Sequence, residues 1–255
     1  MRDAAYTVEV LLLSLDTSAG ASAALLDGTS ALDHSGTVLA DWASADTRHH
    51  AEQLTPAVAD LLQRLAPTSS PSRPDAVVVG TGPGPFTGLR AGIMTARALA
   101  FAWGVPCWGV GSLHALAAQA AAAGAGGNYL VATDARRREL YWAQARATTD
   151  GAAHDVVIVD GPHVGAPDTL PALPVYGAGA GLYADRLAGA AQHPELLPHA
   201  AALGRVALAA LRRAGGRLDD AAAAGLTDTA PRYLRESDAR VPAARKSALG
   251  PGAQR

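Results

Sequence analysis

Three short stretches carry the residue types that hold phosphate or a divalent ion. The first is Leu15-Asp16-Thr17-Ser18. An aspartate followed by small hydroxyl residues offers a carboxylate to Mg²⁺ and hydroxyl donors to phosphate oxygens. The same residues also make an ordinary Asx-turn. The second is TGPGPFTG at residues 81–88. A glycine-rich turn between a strand and a helix can aim backbone N–H groups at an anion, so Gly82, Gly84 and Thr87 are candidate contacts. Neither standard phosphate loop is present. No Gly-Lys-Ser/Thr follows, and the spacing of Gly82, Gly84 and Gly88 misses G-x-G-x-x-G. The glycines can equally serve positive φ, with Pro83 and Pro85 stiffening the turn and Thr87 capping the helix. The third stretch is GAGAG at residues 177–181, where Gly177 and Gly179 could form a second loop across a cleft.

Other chemistries find less support. His49 and His50 are adjacent, so on a helix they point ~100° apart and cannot chelate one ion. Gln53 and Leu54 stand four residues on, where a second ligand would be needed. The remaining histidines show no ligand spacing, no G-x-S-x-G elbow exists, and Cys107 reads as a core residue of a strand. Asp134-Ala135-Arg136-Arg137-Arg138-Glu139 is a charged turn. It is either a solvated turn or a constellation at a cleft mouth, with Asp134 and Arg136 facing a ligand or partner. Its three arginines could touch RNA phosphate, but alone they make a thin patch.

The elements that must position these residues alternate. Apolar runs at 10–15 and 21–26, then 36–43, predict a β-meander. The apolar stripe Leu54, Val58, Leu61, Leu62, Leu65 predicts a helix over 50–65. A buried strand at 75–80, the loop at 81–88 and a helix over 89–103 follow. A strand at 105–110 leads to a helix over 113–123 capped by Ser112. The pattern then recurs in reduced form. Strands are predicted at 129–133, 139–147 (with the β-formers Tyr141 and Trp142), 155–160 and 175–181. Helices are predicted from 182 and over 200–214. Such alternation is α/β with mixed sheets in two subdomains.

Composition agrees. The chain has 255 residues, 49% of them hydrophobic and 17% charged, which excludes wholesale disorder. A net charge of −2 announces no general nucleic-acid field. One cysteine excludes an intrachain disulfide framework. Asp3 and Glu9 spoil the n-region of a signal peptide, and Arg97 interrupts the best apolar stretch. A cytoplasmic protein without a membrane partner is expected.

Taken in order, SLDTS (14–18), HAEQL (50–54), GTGPGPFTGLRAG (80–92), GVGSL (109–113), TDAR (133–136) with ELYW (139–142), and PRYL (231–234) resemble the TsaB (YeaZ) family. That family serves bacterial tRNA threonylcarbamoyladenosine (t6A) synthesis. The resemblance spans residues ~10–235. It implies an actin-like (ASKHA, ribonuclease H-like) duplicated fold with mixed sheets and a reduced second subdomain. The first subdomain would be residues 1–110, completed by the helix at 200–215, and the second 111–199. Residues 219–255 would be a loose segment with a disordered tail.

The resemblance also implies a role. The chain would be a non-catalytic accessory subunit for threonylcarbamoyl transfer to adenosine 37 of ANN-decoding tRNAs. It would bind TsaD, its paralogous catalytic subunit, with the ATPase TsaE, and would meet tRNA through the complex. It would require no cofactor, ATP and Mg²⁺ entering only with the complex. TsaD holds its metal with a His-x-x-x-His pair. Here the second position is Leu54, which cannot coordinate. The family's interface helices carry over to 50–65 and 89–103. They contribute His50, Leu54, Val58, Leu61, Gly92, Thr95, Ala96 and Leu99, with Phe101 and Trp103 as anchors, against TsaD or a second copy. Asp134, Arg136 and Tyr141 belong to the family's hairpin motif. Two departures stand out: Pro85 where many relatives have serine, and Arg137-Arg138 where Met/Lys-Gly is common. The alternative is a small ATPase or kinase of the actin/Hsp70/sugar-kinase superfamily, with nucleotide at Asp16, Thr17, Gly82, Gly84, Gly177 and Gly179.

Overall fold

A computed structural model describes residues 10–28, 36–44, 50–65, 73–147, 156–215, 218–226 and 228–235. Two five-stranded sheets organise them. The first contains β1 (Leu11–Asp16), β2 (Ala21–Asp27), β3 (Thr37–Ser44), β4 (Ala76–Gly80) and β5 (Cys107–Val110), in the order β3-β2-β1-β4-β5. Strands β1, β2 and β3 pair antiparallel, whereas β4 joins β1 in parallel and β5 joins β4 in parallel. The parallel centre explains the near-continuous apolar runs, because helices cover both faces. Leu13, Leu15, Val77 and Val79 pack under α1 (His50–Leu65) and α2 (Phe86–Trp103). Leu12, Ala24, Leu26 and Val78 pack on the other side against Leu203, Ala207, Leu208 and Leu211 of α5 (Ala200–Arg213).

The second sheet repeats the plan. Strands β6 (Gly127–Asp134), β7 (Leu140–Ala147) and β8 (Val156–Gly165) form an antiparallel meander. Then β9 (Val175–Tyr176) joins β6 in parallel and β10 (Ala191–Gln192) joins β9 in parallel. The order β8-β7-β6-β9-β10 mirrors β3-β2-β1-β4-β5. This is a duplication, and it is reduced in its second copy, where β9 and β10 keep two residues each. Helix α3 (Ser112–Ala122) covers one face through Leu113, Leu116, Ala117 and Ala120. The short α4 (Ala178–Leu182) covers the other through Ala180. Helix α3 also packs against α5, which joins the two halves.

Several local readings differ from the structure, among them the strand expected at 155–160, which runs on to Gly165. Helix α2 starts at Phe86, three residues before the predicted start, because Pro85 takes the N-cap position with its fixed φ of −59°. Thr87 therefore lies inside the helix, exposed, and caps nothing. Ser112 likewise is the first residue of α3, with Gly111 at the cap. In the second half the strand stops at Tyr176 and α4 ends, rather than begins, at Leu182. Nor is the segment from 219 loose over its described part. Ala221 and Leu226 are buried in the core beside α5, and Arg232 N–H donates to the Thr81 carbonyl at 2.8 Å. Among the described residues no helix is long and apolar enough to cross a membrane.

Candidate functional site

Strand β1 ends at Asp16, beside the turn into β2. The residue is 1% exposed, and both its carboxylate oxygens accept hydrogen bonds. Oδ1 accepts from the Ser18 backbone N–H at 2.8 Å and from Ser18 Oγ at 2.6 Å. Oδ2 accepts from Ser112 Oγ at 2.6 Å. Ser112 in turn accepts from the Gly82 backbone N–H at 3.1 Å. The backbone N–H of Gly82, one of the candidate anion contacts, is thus already donating inward. The contact between Asp16 and Ser112 spans 96 residues, and no local signal in the sequence distinguishes it from a helix cap.

The glycines around this network make room for it. A Cβ on Gly80 would sit 1.8 Å from Asp16 Oδ2 and 2.7 Å from Ser112 Oγ. A Cβ on Gly84 would meet the Ser18 carbonyl at 2.6 Å, and one on Gly92 would meet Thr17 Oγ1 at 2.2 Å. Thr17 itself donates to the Gly88 carbonyl at 2.8 Å. The aspartate turn and the glycine loop therefore press against each other.

Burial pushes the Asp16 carboxyl above its ordinary range, and hydrogen bonds from Ser112 and Ser18 and the charge of His199 pull it back. A carboxyl raised on folding contributes stability below its unfolded pKa, and that contribution is lost as pH rises through the folded value. In Asp16→Asn the amide N–H can donate to Ser112 Oγ while its oxygen keeps both Ser18 bonds. Urea unfolding from about pH 4 to pH 7 should show Asp16→Asn gaining on the wild type as pH rises. A pH-independent difference contradicts the assignment.

The other candidates lie elsewhere. Gly177, with φ of 104°, and Gly179 let α4 lie on β6. Added Cβ atoms would meet the Ala132 carbonyl oxygen at 2.7 and 2.8 Å. They serve a helix-on-strand contact of the second sheet and do not join the Asp16 network. Asp134 and Arg136 bind each other: Oδ1 accepts from the Arg136 N–H at 2.8 Å, and Oδ2 lies 3.3 Å from the guanidinium. Tyr141 is a core residue of the second sheet. Arg136, Arg137 and Arg138 all have positive φ (62°, 54° and 63°), so the turn takes a left-handed course without glycine. Two interlobe cavities flank the network. One of about 290 Å³ is lined by Gly82, Gly111, His114, Arg213 and Arg232 among others. The other, about 270 Å³, is lined by Ser22, Gln119, Glu195 and His199 among others. Only Gly82 of the sequence-derived contacts reaches either.

The interface candidates split into two sets. Leu54, Val58, Leu61 and Ala96 are core residues between α1, α2 and the sheet, and Gly92 is buried against Thr17. These five turn inward, because the apolar stripe of each helix is spent on its own sheet. Thr95, Leu99 and Trp103 are half-buried. Phe101 is 90% exposed and Met94 61%. With exposed Ala98 they sit at spacings of four and three residues, one face of α2. Ala98 was expected there among the small residues of the helix, whereas Met94 was not, although the spacing was available to find it. His50 opens α1, but its side chain and His49 lie outside the described residues. Among the described residues no group of three His, Cys, Asp or Glu side chains could hold a metal ion.

Comparison with known proteins places this arrangement. The family model for TsaD, tRNA N6-adenosine threonylcarbamoyltransferase, matches residues 37–170. The solved structure of YeaZ from Pseudomonas aeruginosa is 30% identical with a TM-score of 0.66, covering 88% of this chain and 99% of that one. The chain belongs to the TsaB (YeaZ) family. The TsaB protein of Escherichia coli is 35% identical over 145 residues, 56% of this chain and 58% of that relative. An uncharacterized protein of Mycobacterium tuberculosis (strain H37Rv) is 50% identical over 111 residues, 44% of this chain and 49% of that relative. The chain thus spans about half the length of the curated relatives it matches. The family's actin-like expectation fits the mirrored sheets and the reduced second copy.

Proposed function

We propose that this chain is a docking subunit of t6A synthesis. It pairs with TsaD, its catalytic relative, and with the ATPase TsaE, for threonylcarbamoyl transfer to adenosine 37 of ANN-decoding tRNAs. It does no chemistry alone and needs no cofactor of its own. The observation that carries this reading is the Met94–Ala98–Phe101 face of α2, with a phenyl ring 90% exposed on a rigid helix. Burying such a ring is worth about 1.5–3 kcal/mol, and aromatic anchors of this kind dominate interfaces. The same face can pair two copies of the chain when TsaD is absent. The engaged Asp16 network supports the non-catalytic half of the reading. Both Asp16 carboxylate oxygens already accept hydrogen bonds, from Ser18 and Ser112, and the residue is buried.

Two measurements test it. A pull-down with the full chain as bait should recover TsaD from the same cells, and the comparison with and without ATP reads the contribution of TsaE. Titration calorimetry of the isolated chain with Mg·ATP should show no micromolar binding and no turnover. Micromolar binding with turnover would instead establish the ATPase reading.

A further inference from the structure

Residues 231–235 form a strap that draws arginines from three parts of the chain onto one strip. The Arg232 N–H donates to the Thr81 carbonyl, and the Tyr233 ring lies 4.8 Å from Phe86. Arg90 Nε–H donates to the Tyr233 hydroxyl at 3.1 Å, and its guanidinium lies 3.7 Å from the centre of the Phe86 ring. Two residues on, Arg235 donates to the Ala135 carbonyl at 2.9 Å and pairs with Glu139. Five residues reach at most ~17 Å, so Arg90, the strap and the hairpin tip at 134–139 are continuous. Along residues 81–92, 134–139 and 231–235 there are six arginines and two acids, a local excess of four positive charges. The whole chain carries −2. Arg90, Arg136, Arg137, Arg138 and Arg232 are exposed, and Tyr233 is 38% exposed among them.

We propose that this strip contacts the phosphate backbone of RNA, with the hairpin tip, Arg90 and Arg232 as the phosphate-binding groups. The inference rests on the t6A reading above and deepens it, because it gives this chain its own contact with the tRNA. Two features favour RNA over an acidic protein surface, and the planar arginine forks suit phosphate. An aromatic ring lies among them, as single-stranded RNA recognition requires for base stacking. The tip holds three successive arginines in a left-handed turn, a conformation that a Cβ disfavours. Position adds to this. Arg90 precedes Met94 by one helical turn, so RNA on the strip would lie against whatever docks on α2.

The test uses the full chain, alone and with TsaD, and a fluorescent transcript of an ANN-decoding tRNA. Anisotropy is read over a series of salt concentrations. The variant Arg136→Asn/Arg137→Asn/Arg138→Asn removes the tip's charge with a residue that tolerates the left-handed turn. It should weaken tRNA binding at least ~10-fold at 0.1 M salt and lower the slope of log K against log salt by roughly 2, about 0.7 per lost phosphate contact. Arg232→Gln should weaken binding ~3-fold, and capture of TsaD should be unchanged in both. No measurable tRNA binding by the wild type, or unchanged affinity and slope in the triple variant, overturns the proposal. So does loss of TsaD with RNA affinity intact, which would mark an acidic protein partner instead. Cellular t6A separates the two readings. If depletion of the chain leaves t6A unchanged, the docking role fails whatever the anisotropy shows. If depletion abolishes t6A and the triple variant restores it with normal RNA affinity, only the strip fails.

Discussion

Phe101→Glu should cost at least ~100-fold in affinity for TsaD and leave the fold almost unchanged. The ring is 90% exposed on the last full turn of α2. Its removal takes nothing from the core, and exposed substitutions of this kind stay within about 0.5 kcal/mol of the parent. At an interface the same ring would be an anchor, and placing a carboxylate in its pocket loses the apolar burial and desolvates a charge. Surface plasmon resonance with immobilised TsaD reads the loss, and urea unfolding reads the stability. An unchanged Kd would remove α2 from the docking surface. Ala96→Glu is not an equivalent probe. Ala96 is fully buried against the sheet, so a glutamate there would unfold the lobe before it could report on a partner.

Gly80→Ala should destabilise the chain by about 3 kcal/mol. Glycine is required here by close approach. The new methyl would stand 1.8 Å from the Asp16 carboxylate. Relief requires either breaking the bonds from Ser18 and Ser112 or sliding β4 along β1, where Leu15 pairs with Val79 in a core without space. For a chain of this size that cost corresponds to a fall of roughly 6–12 °C in Tm. Gly126→Ala is the control. Nothing lies within 4 Å of its Cβ position, and it should be neutral. Equal melting of the two variants would show that the Asp16 network does not hold the sheet together.

Much of the fold was legible because its signals are local. The apolar runs of β1 and β4, the stripe on α1 and the punctuation at Gly104 and Gly124 depend on neighbours in sequence. So did the second meander, since Tyr141 and Trp142 mark β7 without help from the first half. Ordered motifs such as GPGPFTG and TDAR carried the family resemblance in the same way.

Tertiary contacts decided the rest. Asp16, Ser112 and Gly82 become one hydrogen-bonded unit only when the parallel pairing of β1, β4 and β5 brings their ends together. Until then each looks like an ordinary turn or cap residue. Which face of α2 was left over also depended on the sheet. Periodicity marks Leu89, Ile93 and Ala96 as apolar, but only the covering of the sheet by those residues leaves Met94 and Phe101 in water. The PRYL segment shows the same limit. The arginines it gathers are scattered in sequence and brought together in space, and charge adds up by distance across the folded surface, a quantity that spacing along the chain does not contain.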